Sequence, residues 1–319
     1  MSFTPSRVLA VIALSVIWAQ SQLSSARMAR DPRPREALLH TGSKFRDCIE
    51  CPEMVVVPPG HFKMGAKAPA DGQEGSPWSA PAREVTFDRA LAVGVYDVTR
   101  GEYSEFVRET NRHSKDGCYV WNGDQWVEDR NRSWRNPGFR QTPIDPVVCV
   151  NWEDAQAYVR WLNIKLGDSD RESSTWKRPY RLPTLAEAEF AAGANETTAY
   201  FWGDQPDRNR ANFGALHCRP CGPARQGKDR WLYTSPVGSF RPNRFGLYDV
   251  AGNVYQWTDE CWPNSREFDC IFGVVRGGSW LDKPEYLLTG EYQMNDRINH
   301  NSTIGFRVVR DIDQGSYGG

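Results

Sequence analysis

The sequence predicts a loop-rich fold that combines short strands with a few helices. Its 319 residues include 13 Trp, 27 Gly and 21 Pro, so turns are frequent and aromatic rings supply much of the interior. Capping signals mark three helices. From Tyr200 onward helical periodicity stops, and short strand-like runs alternate with turns. The length fits one large domain or two small ones. No self-similar period appears, which argues against a propeller or solenoid. Lys and Arg (39) nearly balance Asp and Glu (40), giving a formal charge of −1. That balance points away from nucleic acid and from anionic membrane surfaces as partners.

The strands follow from β-branched runs and the turns between them. Met54-Val55-Val56-Val57 reads as a strand stopped by Pro58-Pro59-Gly60, and Phe62 to Gly65 reads as the return arm of a hairpin. Residues 66–81 are a long surface loop, and Glu84 to Ala92 alternates again. Val274 to Trp280 and Ile304 to Arg310 read as two further strands. Gly277-Gly278 gives the first of these freedom to turn and room for close approach. Leu281 to Thr303 reads as a polar connection, long enough to be functional.

The helices follow from their caps. Thr99-x-x-Glu102 is a capping box ahead of Tyr103, Phe106 and Val107. Asn151 caps a second helix, with Glu153 and Asp154 in its first turn and Gly167 at its end. Thr184-x-x-Glu187 is another capping box. Between the first two helices, Cys118 to Ile144 reads as an aromatic-rich loop.

The N-terminus reads as a signal peptide, residues 1–26. Arg7 precedes an apolar run from Val8 to Trp18, which is shorter than the roughly 20 residues a membrane span needs. Ser24-Ser25-Ala26 offers small residues for cleavage. An uncleaved anchor is the alternative. Residues 27–43 read as a linker, 44–312 as the folded domain and 313–319 as a tail. The implied location is periplasmic or secreted, and the eight cysteines suit it. Cys118 with Cys149, and Cys261 with Cys270, are the expected disulfides among many possible pairings. The CxxC pairs Cys48/Cys51 and Cys218/Cys221 lack zinc-ribbon spacing. A thioredoxin-like role fails for the first pair because Pro52 and a strand follow it.

The ordered set of motifs resembles the formylglycine-generating enzyme family, the sulfatase-modifying-factor domain. It comprises Pro58 to Gly65, Tyr96-Asp-Val-Thr99, Pro146 to Trp152, Tyr180-Arg-Leu-Pro-Thr184, Tyr200-Phe-Trp-Gly203, Gly246 to Asn253, Trp257, Arg276-Gly-Gly-Ser-Trp280 and Gly305-Phe-Arg307. The resemblance implies a single α+β domain, loop-rich, with little regular secondary structure, distantly similar to C-type lectin domains and stabilised by calcium. It also implies oxidation of a substrate cysteine to formylglycine. Two cysteines a few residues after the Gly-Gly-Ser motif would bind Cu(I) there.

This chain has no cysteine after Cys270. Copper is therefore not expected, nor is formylglycine formation by the copper-dithiolate route. The residues left to carry chemistry are Ser279, Asp282, Glu285, Tyr286, Glu291 and Arg297, able to do acid–base work. By the resemblance, Asn212, Phe213, Asp229 and Trp231 would hold calcium through oxygen atoms. A second calcium position would fall on Asn253 and Gln256, where the family's Glu is replaced by Gln256 and a turn-ordering role for Asn253 is the better reading. The expected function is that of an exported oxidase or modifying factor for a periplasmic protein or small molecule, acting as a monomer. The alternative is a non-catalytic, calcium-stabilised module that binds peptide or glycan.

Overall fold

The structure is a computed structural model that describes residues 39–65, 82–113, 117–166, 180–214, 227–262 and 270–312. The expected signal peptide, the 66–81 loop and the Cys218/Cys221 pair lie outside the described residues. In chain order the elements are β1 (Lys44–Phe45), β2 (Met54–Val57), β3 (Gly60–Met64), β4 (Arg83–Phe87), β5 (Leu91–Gly94) and helix α1 (Arg100–Thr110). They continue with β6 (Cys118–Trp121), β7 (Trp126–Asp129), α2 (Trp152–Lys165), β8 (Tyr180–Arg181) and α3 (Leu185–Gly193). Last come β9 (Tyr255–Cys261), β10 (Phe272–Arg276), a 3-10 turn (Pro284–Leu287), β11 (Tyr292–Asp296), β12 (Ile304–Phe306) and β13 (Val309–Asp311).

Two sheets carry the architecture. A five-stranded sheet has the order β1-β2-β5-β13-β8, and a four-stranded sheet the order β11-β10-β9-β12. In β2 every residue is buried. Successive side chains point to opposite faces, so Met54 and Val56 pack with α1 and α2, through Tyr103, Phe106, Tyr158 and Leu162. Val55 and Val57 pack with Phe190 and Ala191 of α3 on the other face. Packing reaches back past Lys44: Leu39 is buried in the core, and the Gly42 N–H donates to the Val56 carbonyl at 2.8 Å.

All three caps form. Thr99 and Glu102 make a reciprocal capping box, as do Thr184 and Glu187, and Asn151 accepts from the Asp154 N–H. The disulfides Cys118–Cys149 and Cys261–Cys270 are present, and Cys48 pairs with Cys51.

Several strand readings need correction. The hairpin of 54–57 with 62–65 does not form: β2 pairs with β1 and β5, while β3 pairs with β4. A strand buried on both faces needs sheet neighbours on both edges, whereas β3, exposed at alternate residues, suits a two-stranded ribbon. The Glu84–Ala92 alternation is two strands, β4 and β5, split at Asp88. The Cys118–Ile144 segment contains the hairpin β6/β7. The polar connection 281–303 contains β11, paired along its length with β10.

The run 304–310 also divides. β12 pairs in parallel with β9, and β13 pairs with β5 and β8 in the other sheet. Arg307 lies at the crossing. Its Nη1 donates to the Gly94 carbonyl and its Nη2 to the Tyr248 carbonyl, both at 2.6 Å. Asp97 lies 3.1 Å from the guanidinium.

Gly305 sits where the sheets meet, and a Cβ there would lie 2.5 Å from the Val147 carbonyl oxygen. Backbone cannot yield as a side-chain tip can, and overpacking costs about 1–3 kcal/mol. Gly305→Ala is expected to lower the melting midpoint by roughly 3–10 °C. Circular dichroism melts of the two proteins check this, and an unchanged midpoint contradicts the tight crossing.

Candidate functional site

The site begins where β10 ends. Gly277 (φ 96°) and Gly278 (φ 70°) occupy left-handed backbone conformations. A Cβ on Gly278 would lie 2.6 Å from Leu287 Cδ1 and 2.9 Å from the Tyr286 carbonyl oxygen. The strand therefore stops at Arg276, short of Trp280, and the chain folds back on itself. The Gly277 carbonyl accepts from the Gly252 N–H at 2.7 Å, and the Trp280 N–H donates to the Asn253 carbonyl at 2.9 Å.

Within this turn Asp282 acts as a local clasp. One of its oxygens accepts from the Ser279 N–H at 3.0 Å and also from the Ser279 hydroxyl. Tyr255 of β9 hydrogen-bonds the same carboxyl group. Burial pushes Asp282 up to about 6, against the hydrogen bonds from Ser279 and Tyr255 that pull it down. The Tyr255 phenol is pushed well above its ordinary value, first by burial and then by the charges of Asp282, Tyr286 and Glu291. Tyr286 is raised by burial and by Asp282, Glu285 and Glu291. Glu291 is buried, and its Oε1 accepts from Gln293 Nε2 at 2.8 Å.

Ser279, Asp282, Tyr286 and Glu291 are thus gathered around Tyr255, with the exposed Glu285 adding charge from the rim. Arg297 is not among them. It lies beyond the far end of β11, stacked 3.3 Å from the ring centre of Trp152, with Nη1 donating to the Cys270 carbonyl. Its place in the catalytic set is corrected on that ground. Tyr255 was missed by sequence reasoning, although it stands in the Gly246–Trp257 stretch two residues before the motif Trp257.

Aromatic rings border the turn. Phe139 and Tyr233 stack at 4.5 Å, and both meet Trp280 edge-on, at 5.6 and 5.0 Å.

Residues 41–312 match the sulfatase-modifying factor enzyme 1-like domain. The chain belongs to that family. Among family members, the inactive C-alpha-formylglycine-generating enzyme 2 of Bos taurus is 30% identical over 289 residues, covering 80% of this chain and 87% of its own. The formylglycine-generating enzyme of Mycobacterium tuberculosis (strain ATCC 25618 / H37Rv) is 30% identical over 316 residues, covering 81% and 98%. The solved structure of PvdO from Pseudomonas aeruginosa superposes with TM-score 0.69 at 31% identity, covering 85% of this chain and 98% of that one. These likenesses agree with the loop-rich α+β fold of the family. Among the described residues no helix is long and apolar enough to cross a membrane.

The positions expected to hold metal are also brought together. Asn212, Phe213 and Asp229 converge, but the Arg208 guanidinium stands among them, with Nη1 2.6 Å from the Phe213 carbonyl oxygen and 3.0 Å from Asp229 Oδ2. Trp231 contributes its N–H to Asp229 Oδ1 at 3.3 Å. At the second position Asn253 is spent on Ser235, accepting from its N–H and donating to its carbonyl. Gln256 donates to the Asp249 carbonyl and accepts from Arg307 Nε. That donor set has no carboxylate and its amides are satisfied, so it does not fit calcium.

Several buried carboxyl groups besides Asp282 are held above their ordinary range, burial being the largest cause in each. Glu189 is pushed up to about 7 and Asp249 to about 6. Between about pH 4 and these values the folded chain binds more protons than the unfolded one, so stability falls as pH rises. The melting midpoint is expected to drop from pH 5 to pH 8, and Asp282→Asn to show a smaller drop. Thermal melts across that range check this; a wild-type midpoint that climbs over the interval contradicts it.

Proposed function

We propose that this chain is an exported oxidase or modifying factor of the family, acting on a protein or small molecule outside the cytoplasm without a copper-dithiolate centre. The observation that carries the reading is the content of the turn after Gly278. A half-buried carboxyl group, Asp282, faces Tyr255 and Ser279 there, and the sequence has no thiol from position 271 onward.

A carboxyl group poised near 6 can take up and return a proton close to neutrality, which a surface aspartate does poorly. In this reading Asp282 is the group that removes a proton from the substrate. The Ser279 N–H and hydroxyl fix its orientation. The exposed ring of Tyr233, stacked on Phe139, suits a flat or aromatic substrate. The three disulfides among the described residues support a location in an oxidising compartment.

A second reading rests on exposed aromatic rings. Tyr233 and Trp126 are exposed large aromatics, and a stacked face can bind peptide or glycan without any reaction.

Incubation with copper and a peptide containing Cys-x-Pro-x-Arg is expected to leave the cysteine unchanged by mass spectrometry. Formation of an aldehyde there would overturn the reading.

A further inference from the structure

We propose that the guanidinium of Arg208 takes the place of the calcium ion implied at Asn212, Phe213, Asp229 and Trp231, so that the chain supplies this structural cation from its own sequence. Arg208 and Asp229 are both buried, with side-chain exposures of 6% and 0%. Arg208 Nη1 donates to the Phe213 carbonyl and to Asp229 Oδ2, and Nη2 donates to the Gly214 carbonyl at 3.1 Å. Its guanidinium also lies 4.8 Å from the centre of the Phe213 ring. The Phe213 N–H donates to Asp229 Oδ2 and the Trp231 N–H to Oδ1, each at 3.3 Å.

Charge decides against a second cation. Asp229 is the one carboxylate in this group, and Arg208 neutralises it. Calcium takes six to eight oxygen ligands, and its affinity rises with their negative charge. A divalent ion here would add two positive charges beside a buried guanidinium, and among the described residues the group holds no carboxylate besides Asp229 to offset them. Two of the expected donors, the Phe213 carbonyl and Asp229, already accept from Arg208. The described residues contain no group of three or more acidic, His or Cys side chains able to hold a metal. Asn212 Oδ1 stays buried without a hydrogen-bond donor. It is neutral, so it supplies a dipole but not the missing charge.

The substitution matters beyond this corner. The Asn212 carbonyl accepts from the Asn253 N–H at 2.8 Å, and a Cβ on Gly252 would lie 2.5 Å from that carbonyl oxygen. Gly252 and Asn253 in turn hold Gly277 and Trp280. Arg208 therefore braces, through one intervening turn, the loop that carries Ser279 and Asp282.

Thermal melts of the mature wild type and Arg208→Gln, in EDTA and in millimolar calcium, test this. The wild-type midpoint is expected to be the same in both buffers. Arg208→Gln, which leaves Asp229 buried and unpaired, should melt lower in EDTA by on the order of 10 °C. It should recover in calcium, because the vacated oxygens then accept the ion. A wild-type midpoint that rises with calcium overturns the proposal, as does an Arg208→Gln variant as stable as wild type in EDTA. Should the variant fail to fold, metal analysis of the wild type after dialysis against calcium decides. Calcium well below one ion per chain supports Arg208 as the cation, and one bound ion per chain overturns it.

Discussion

A fold made largely of loops has to satisfy main-chain polar groups that no helix or sheet covers. In this protein buried charged and amide side chains do so. Arg307 takes the carbonyls of Gly94 and Tyr248, Arg276 that of Thr289, and Arg208 those of Phe213 and Gly214. Asp249 accepts from the Gly238 N–H, Glu189 from that of Gly65, and Asp282 from that of Ser279. A buried carbonyl or N–H left unpaired costs about 1–3 kcal/mol, so each of these side chains fixes the path of a loop. Burial of so many ionisable groups is what lifts Asp282, Asp249 and Glu189 above the usual carboxylate range. The same constraint therefore holds the fold and tunes the candidate site.

The helices were legible because their signals are local. A cap at Thr99, Asn151 or Thr184 and an apolar stripe behind it lie within one or two turns of chain. Strand existence was legible for the same reason at Met54–Val57, but strand pairing was not. Nothing near Val57 announces that its neighbour is Leu91 and not Phe62. The glycine of the 304–310 run, Gly305, lies inside β12, and the break at Arg307 carries neither proline nor glycine, so the division between two sheets has no local mark. β11 was hidden because its residues, Tyr-Gln-Met-Asn-Asp, read as polar connection.

The site was legible in proportion to its dependence on the turn. Gly277-Gly278 and the absence of later cysteines pointed to Ser279 and Asp282, which are three residues apart and bond each other. Tyr255 arrives from an adjacent strand, where sequence spacing gives no hint of contact. Arg297 was grouped with the others because it shares their segment, yet the length of β11 carries it to the opposite end of the sheet. Arg208 carried no signal at all, since an arginine four residues before Asn212 looks like any surface cation until its guanidinium is seen between Asp229 and two carbonyls.

Kinship with formylglycine-generating enzymes sets the question that chemistry has to answer. A soft ion such as Cu(I) prefers thiolates, and a carboxyl group hydrogen-bonded to Ser279 and Tyr255 is a hard, partly protonated donor. Titration of the protein with Cu(I) against a competing chelator addresses this most directly. A turn built on Asp282 should leave the metal with the chelator at all protein concentrations. Stoichiometric, tight Cu(I) binding, one ion per chain, would contradict it.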